Sequence, residues 1–207
     1  MATSFRPALT HLKRVDPVLA GIIARVGPCR MEQRRTGTHY DALVRSIVFQ
    51  QLSGKAAGTI HRRFSELYPA KRIRAERVLE STDEQLRSAG LSRQKIGYLR
   101  DLSARVIDGT LPLSHLGRLS DDSIIDHLVQ VKGIGRWTVQ MFLMFRLGRP
   151  DVLPELDLGV QNAIQRAYGL KKRPSPKDVL AIGEKWRPYA SVASWYLWRS
   201  LEGDAAM

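Results

Sequence analysis

Cysteine is almost missing: Cys29 is the one thiol in 207 residues. That excludes a disulfide framework within the chain, and any metal or iron–sulfur centre built on several thiolates. Long apolar runs are missing too. Arg, Lys or Gly interrupts each hydrophobic stretch, so no transmembrane span is expected. The first residues lack an apolar core followed by a small-residue cleavage site, so no secretory signal is expected either. No segment alternates apolar and polar residues clearly enough to read as a strand. Acidic residues are in short supply, 20 against 33 basic ones, which leaves a net charge of +13. These absences together point to a reducing, intracellular compartment and to a protein without a membrane partner.

What is present begins with that charge. A surplus of Lys and Arg favours a polyanionic partner, because each phosphate contact releases counterions. DNA, RNA and acidic lipid all satisfy this condition. Apolar content is ordinary, so 207 residues are enough for one compact domain or two small lobes.

Helix punctuation recurs along the chain. Asp16-Pro17 reads as an N-cap and first helical residue, opening a helix through Val26 that Gly27 stops. Leu43, Ile47 and Val48 make a helical stripe in Tyr40–Gln50. Ser53 opens a helix to about Tyr68, and Thr82 with Gln85 has capping-box spacing. Ser92 opens a helix with Ile96, Leu99, Leu102 and Val106 on one face. Ser120 opens another, over Asp121 to Val129. Further helices are expected over 136–147, 158–168, 176–186 and 189–201. The reading is an all-α protein of about ten helices joined by short loops. Soft boundaries are expected at Arg30–His39 and Leu111–Leu119.

The most informative stretch runs from Asp126 to Val139. An apolar helix end enters Val131-Lys132-Gly133-Ile134-Gly135, and a new helix follows at once. Two glycines permit a tight turn and a close approach of another chain. Backbone amides at the start of the second helix, with the positive end of its dipole, make an anion site. Lys132 and Arg136 flank it. A DNA phosphate is therefore the expected ligand of Lys132, Gly133, Gly135, Arg136 and Thr138, a contact that fixes position without reading sequence. A plain turn between two packed helices is the competing account. The apolar residues Leu128, Val131, Ile134 and Val139 make the pattern more specific than Gly-x-Gly alone.

This segment resembles the helix-hairpin-helix of the DNA glycosylase superfamily that includes endonuclease III. It is most similar to the bacterial 3-methyladenine DNA glycosylase II branch and its fungal relatives. In that family a Gly/Pro-rich loop and an invariant Asp follow the hairpin. The matching stretch here is Arg149 to Val160, with Asp157 twenty residues after Trp137. Ile47 to Ala57 is a second matching block, and Trp186 to Ser191 followed by Trp195 to Trp198 is a third. The resemblance covers roughly residues 10–203. Glycosylase II proteins often carry an additional N-terminal β-rich domain, for which this chain has no room.

The resemblance implies a two-lobed helical fold with the active cleft between the lobes. One lobe would hold about 1–30 with 148–207, the other about 35–130, and the hairpin 131–135 would sit at the junction. It implies excision of alkylated bases, of the 3-methyladenine and 7-methylguanine type, from damaged duplex DNA, by a chain acting as a monomer. Asp157 falls on the catalytic position; its neighbours Asp151 and Glu155 do not. A carboxylate there would stabilise the oxocarbenium character that builds on the sugar and orient water. A helix N-cap is the alternative role for Asp157. Bifunctional relatives have a lysine where this chain has Trp137. An indole cannot form a Schiff base, so simple hydrolysis is implied, with Lys132 and Lys55 as the alternative amines.

A stacked base cannot reach Asp157, so the nucleotide must be flipped out. Gln51 and Leu52 match the family's wedge position, and either could fill the gap; Leu52 could equally pack inward. Trp137, Met141, Trp198 and Phe49 are candidates for the base pocket, with core packing as the alternative for each. Electron-rich indoles would attract cationic alkylated bases. No cofactor is required. The family also implies a sodium or potassium ion held by the carbonyls of Val129, Val131 and Ile134. Two rivals remain: a non-catalytic helix-hairpin-helix DNA-binding protein, and a glycosylase for other damaged bases.

Overall fold

The computed structural model describes residues 5–33 and 36–202, and among them every regular element is helical. In chain order these are α1 (Arg6–Val15), α2 (Pro17–Val26), α3 (His39–Phe49), α4 (Gly54–Glu66), α5 (Ala75–Glu80) and α6 (Asp83–Ser88). They are followed by α7 (Arg93–Ile107), α8 (Asp121–Leu128), α9 (Arg136–Phe142), α10 (Leu158–Ala167), α11 (Pro176–Gly183) and α12 (Ala190–Glu202). Among the described residues, no helix is long and apolar enough to cross a membrane.

Where the sequence carries a capping side chain, the helix begins on it. The Asp16 side chain accepts from the amides of Val18 and Leu19 at the start of α2. Ser53, Ser92 and Ser120 cap α4, α7 and α8. Thr82 and Gln85 complete a reciprocal capping box on α6, satisfying two amides that a helix start leaves without acceptors. Two helices absent from the sequence reading, α1 and α5, start at Phe5 and Arg74 with no side-chain cap bond. They carry none of the polar punctuation that marks the others. The expected helix over 136–147 also changes partway, with α9 passing into a π-helical turn at Leu143–Leu147.

The chain divides into two compact units, Met1–Arg34 with Leu143–Met207 and Arg35–Phe142. In the first, α1 packs on α2, and α2 and α10 pack on α12. Its core includes Leu19, Val160, Ile164, Trp186, Tyr196 and Leu197. Side chains of this kind each contribute about 1.5–3 kcal/mol on burial. Asp16 lies fully buried in this unit, accepting hydrogen bonds from Trp186 Nε1 (2.7 Å) and Tyr168 Oη with Lys185 Nζ 3.1 Å away. Burial alone would raise its pKa. The bonds from Trp186, Tyr168, the Leu19 amide and Lys185 outweigh that and hold the carboxyl below its ordinary value.

In the second unit, α7 is the central helix, packed by α3, α5 and α6. Leu43, Ile47, Phe64, Leu99, Leu102 and Leu128 are all fully buried. The Leu111–Leu119 segment is no boundary: it forms a short 3-10 helix, Leu113–Arg118, that packs on α3 with Leu116 fully buried. The hairpin residues 131–135 fall inside this unit, because α9 packs against α8 and α3.

Candidate active site

The hairpin is built by short-range bonds and one obligatory glycine. Val131 N–H donates to Leu128 O (3.1 Å) and Ile134 N–H to Val131 O (3.0 Å), winding the chain out of α8. Val131 and Ile134 are buried, so the turn is anchored on its apolar side. Gly133 sits at φ +80°, and a Cβ there would lie 2.2 Å from the Tyr98 ring. Gly135 differs: a Cβ would meet nothing within 4 Å. The side chains of Lys132 and Arg136 are exposed beside it. Thr138 is the buried residue among those expected at the phosphate. Its side chain is 7 % exposed, because the α9 face it occupies turns inward with Val139.

Two polar side chains from distant sequence hold this turn, and neither was visible as a motif. Asp101 Oδ2 accepts from the backbone amide of Lys132 (2.9 Å) and from Arg105 Nε (3.1 Å). Gln50 Nε2 donates to the carbonyl of Gly133 (2.8 Å). Separations of 31 and 83 residues leave no local spacing to detect.

The loop between α3 and α4 carries Gln51 and Leu52. Gln51 takes a left-handed backbone, φ +55°, rare for a side chain larger than glycine. Leu52 is 39 % exposed, so it does not pack inward. Lys95 reaches from α7 to the end of α3, its ammonium 2.6 Å from Val48 O and 2.8 Å from Gln50 O. Partial burial lowers the pKa of that amine. Phe49, expected in the base pocket, is half-buried. The Arg45 guanidinium covers one face of its ring at 3.7 Å, and His61 meets it edge-on. A cation already occupies that face of the ring. Trp137 is 42 % exposed at the start of α9, and Met141, one turn on, is half-buried.

The carboxylates of the 149–160 stretch separate by their surroundings. Asp151 pairs with Arg187 (2.9 Å) and accepts from the Ala190 amide at the start of α12, a structural tie. Glu155 is 7 % exposed. Asp157 is half-exposed and caps α10: its Oδ1 accepts from Val160 N–H at 2.7 Å and from Trp198 Nε1 at 2.8 Å. Gly159 leaves room for this, since a Cβ there would stand a tight 3.0 Å from both Asp157 Oδ1 and Trp198 Cδ1. Trp198 is itself stacked on Phe145, centroids 5.9 Å apart. So Trp198, expected as a pocket wall, also donates directly to the carboxylate. Asp157 thus caps α10 while remaining partly exposed. Among the described residues, no group of His, Cys, Asp or Glu is placed to hold a metal ion.

Comparison with known proteins adds a second line. Residues 44–188 match the model of the HhH-GPD superfamily base excision DNA repair proteins. The chain is 38 % identical over 169 residues to the putative DNA-3-methyladenine glycosylase YfjP of Bacillus subtilis, covering 79 % of this chain and 59 % of that relative. It superposes on the 3-methyladenine DNA glycosylase Mag1 of Schizosaccharomyces pombe, solved in complex with abasic DNA, with TM-score 0.82 and 34 % identity over 95 % of this chain and 97 % of that one. A DNA-3-methyladenine glycosidase from Bacillus halodurans matches with TM-score 0.86 and 36 % identity, over 96 % and 91 % of the two chains.

Proposed function

Since the chain belongs to the HhH-GPD superfamily of base excision DNA repair proteins, we propose that it is a monofunctional DNA glycosylase, hydrolysing the N-glycosidic bond of alkylated bases in duplex DNA. The observation that carries this is Asp157, a partly exposed carboxylate whose Oδ1 accepts from a backbone amide and an indole N–H. Departure of the base builds positive charge on the sugar, and a fixed anion stabilises that charge where water is excluded. A 3-methyladenine or 7-methylguanine base already carries positive charge, so it leaves without a general acid. That suits catalysis by a single carboxylate, Asp157, and the exposed indole of Trp137 has a face that attracts cations. Trp137 offers no amine, so hydrolysis leaves an intact abasic strand and no borohydride-trappable adduct.

Wild-type protein is expected to release 3-methyladenine or 7-methylguanine from duplex DNA treated with a methylating agent. Binding without any release would return the chain to a DNA-binding role. Gln51 or Leu52 fills the gap left by the flipped nucleotide, and the exposure of both supports this. The exposed side chains of Lys132 and Arg136 take phosphates at the hairpin. Lys132→Ala and Arg136→Ala should each weaken binding evenly across sequences and reduce the log–log salt slope by about 1. An unchanged slope would place the phosphate elsewhere.

A sodium or potassium ion at the hairpin suits neutral carbonyl donors such as Val129, Val131 and Ile134. The Val131 carbonyl already accepts from Ile134, which leaves it one further lone pair to offer. When bound, the ion would add positive charge beside the phosphate. The chain acts as a monomer, where its DNA is.

Trp198 serves here as a positioning residue for Asp157. Trp198→Phe keeps an aromatic ring on Phe145 but removes the N–H donor. Single-turnover excision is expected to fall about 10- to 100-fold, consistent with losing a hydrogen bond to a charged group. In an Asp157→Asn background the same change should cost almost nothing more, because the two side chains act as a unit. Multiplying losses would instead mark Trp198 as an independent pocket wall.

A further inference from the structure

Three side chains spaced by three residues along one side of α7 converge on two separate loops. Lys95 donates to the carbonyls of Val48 and Gln50 at the end of α3. Tyr98 lies against Gly133, so close that only a glycine fits. Asp101 accepts from the Lys132 amide. Gln50 closes the circuit, donating to the Gly133 carbonyl. The loop bearing Gln51 and Leu52 and the turn bearing Lys132–Gly135 are therefore fastened to one helix and to each other.

From this arrangement we propose that Lys95 is a positioning residue for base flipping: it holds the Gln51–Leu52 loop in the posture that enters the base stack, in register with the phosphate-binding turn. The inference rests on the glycosylase reading and deepens it.

The physical need is specific. A helix end leaves its last carbonyls without intrahelical partners. At α3 those carbonyls must be satisfied while the chain turns sharply through Gln51, whose left-handed backbone is unfavourable for a side chain larger than glycine. The Lys95 ammonium does this with two bonds and supplies the positive charge that a helix C-terminus favours. Without it the loop would relax toward ordinary backbone, and Leu52 would lose its fixed exit. Insertion into DNA would then carry the added cost of ordering the loop. Flipping is dearest from a paired, stacked site and cheap where the base is already unpaired. Lys95 should therefore matter in proportion to the cost of flipping.

The test compares excision of a single 7-methylguanine opposite cytosine with excision of the same base in a bulge. Lys95→Met is expected to slow single-turnover release from the paired site about tenfold or more, while the bulge changes less than about twofold. Lys95→Arg, which keeps the charge and the donors, should recover most of the loss. Should Lys95→Met fail to fold, Gln50→Ala cuts the tie to the hairpin and is expected to show the same selective loss. Equal losses on both substrates, or none on either, overturn the proposal. A parallel measurement needs no chemistry: fluorescence of 2-aminopurine placed beside an abasic analogue reports unstacking by the inserted loop. Wild type should raise it and Lys95→Met should not. If wild type raises it, Lys95→Met does not, and wild type releases no base, the glycosylase reading falls and the role of Lys95 stands. If both proteins raise it equally, Lys95 has no part in insertion.

Discussion

Asp157→Asn is expected to lower base release by about a thousandfold or more, roughly 4 kcal/mol of transition-state stabilisation, with the fold and DNA affinity retained. Asparagine is as good a helix N-cap as aspartate. Its amide oxygen can still accept from Val160 N–H and Trp198 Nε1, the two donors now on Oδ1. What disappears is the negative charge that the departing base calls for. Affinity for duplex DNA holding an abasic analogue should stay level or rise slightly, because an anion near the phosphates has been removed. Base release from methylated duplex and binding to the analogue, measured side by side, decide the matter. Unimpaired release would reduce Asp157 to a cap and move catalysis to another group.

Gly133→Ala should have the largest effect on the hairpin. The position lies at φ +80°, where any side chain costs about 1–2 kcal/mol. The added methyl would also stand 2.2 Å from the Tyr98 ring, which is tied to Gln94 through its hydroxyl. Either the ring or the turn must move, and overpacking of this kind costs about 1–3 kcal/mol more. Thermal denaturation should show a midpoint several degrees lower. DNA affinity should fall about tenfold or more, since the turn that carries the phosphate contacts shifts. Adding Tyr98→Ala ought to relieve the clash but not the backbone strain, restoring only part of the stability. Gly135→Ala is the control. Nothing lies near it, so the melting point should hold, while a phosphate seated against that glycine would be pushed away. Equal stability of Gly133→Ala and wild type would contradict the geometry of the turn.

Legibility in the sequence followed interaction range. Helices opened by Asp16, Ser53, Thr82, Ser92 and Ser120 could be read because cap and helix are neighbours in the chain. Helices α1 and α5 could not, since neither start has a capping side chain. The π-turn at Leu143–Leu147 left no mark either, because Leu, Met, Phe and Arg suit an ordinary helix equally well. In the site, the Gly133 turn and its flanking charges were visible as a pattern, and Asp157 was visible through family resemblance. The inward turn of Thr138 and the cover of Arg45 over one face of Phe49 left no mark in the sequence. Which side of a helix faces the core is a property of its neighbours.

The sequence by itself determined the helical class, the basic surface, the capped helix starts, the glycine turn and the lack of an amine at position 137. Each depends on a residue type or on spacing within a turn or two. Only the tertiary structure decided that Asp151 is tied to Arg187 and Glu155 buried, that Trp198 donates to Asp157, and that Lys95, Tyr98, Asp101 and Gln50 hold two loops together. Those choices join residues 31 to 83 positions apart, or 41 in the case of Trp198 and Asp157. Hydrogen bonds at such range follow from the packing of whole helices, which no local pattern encodes.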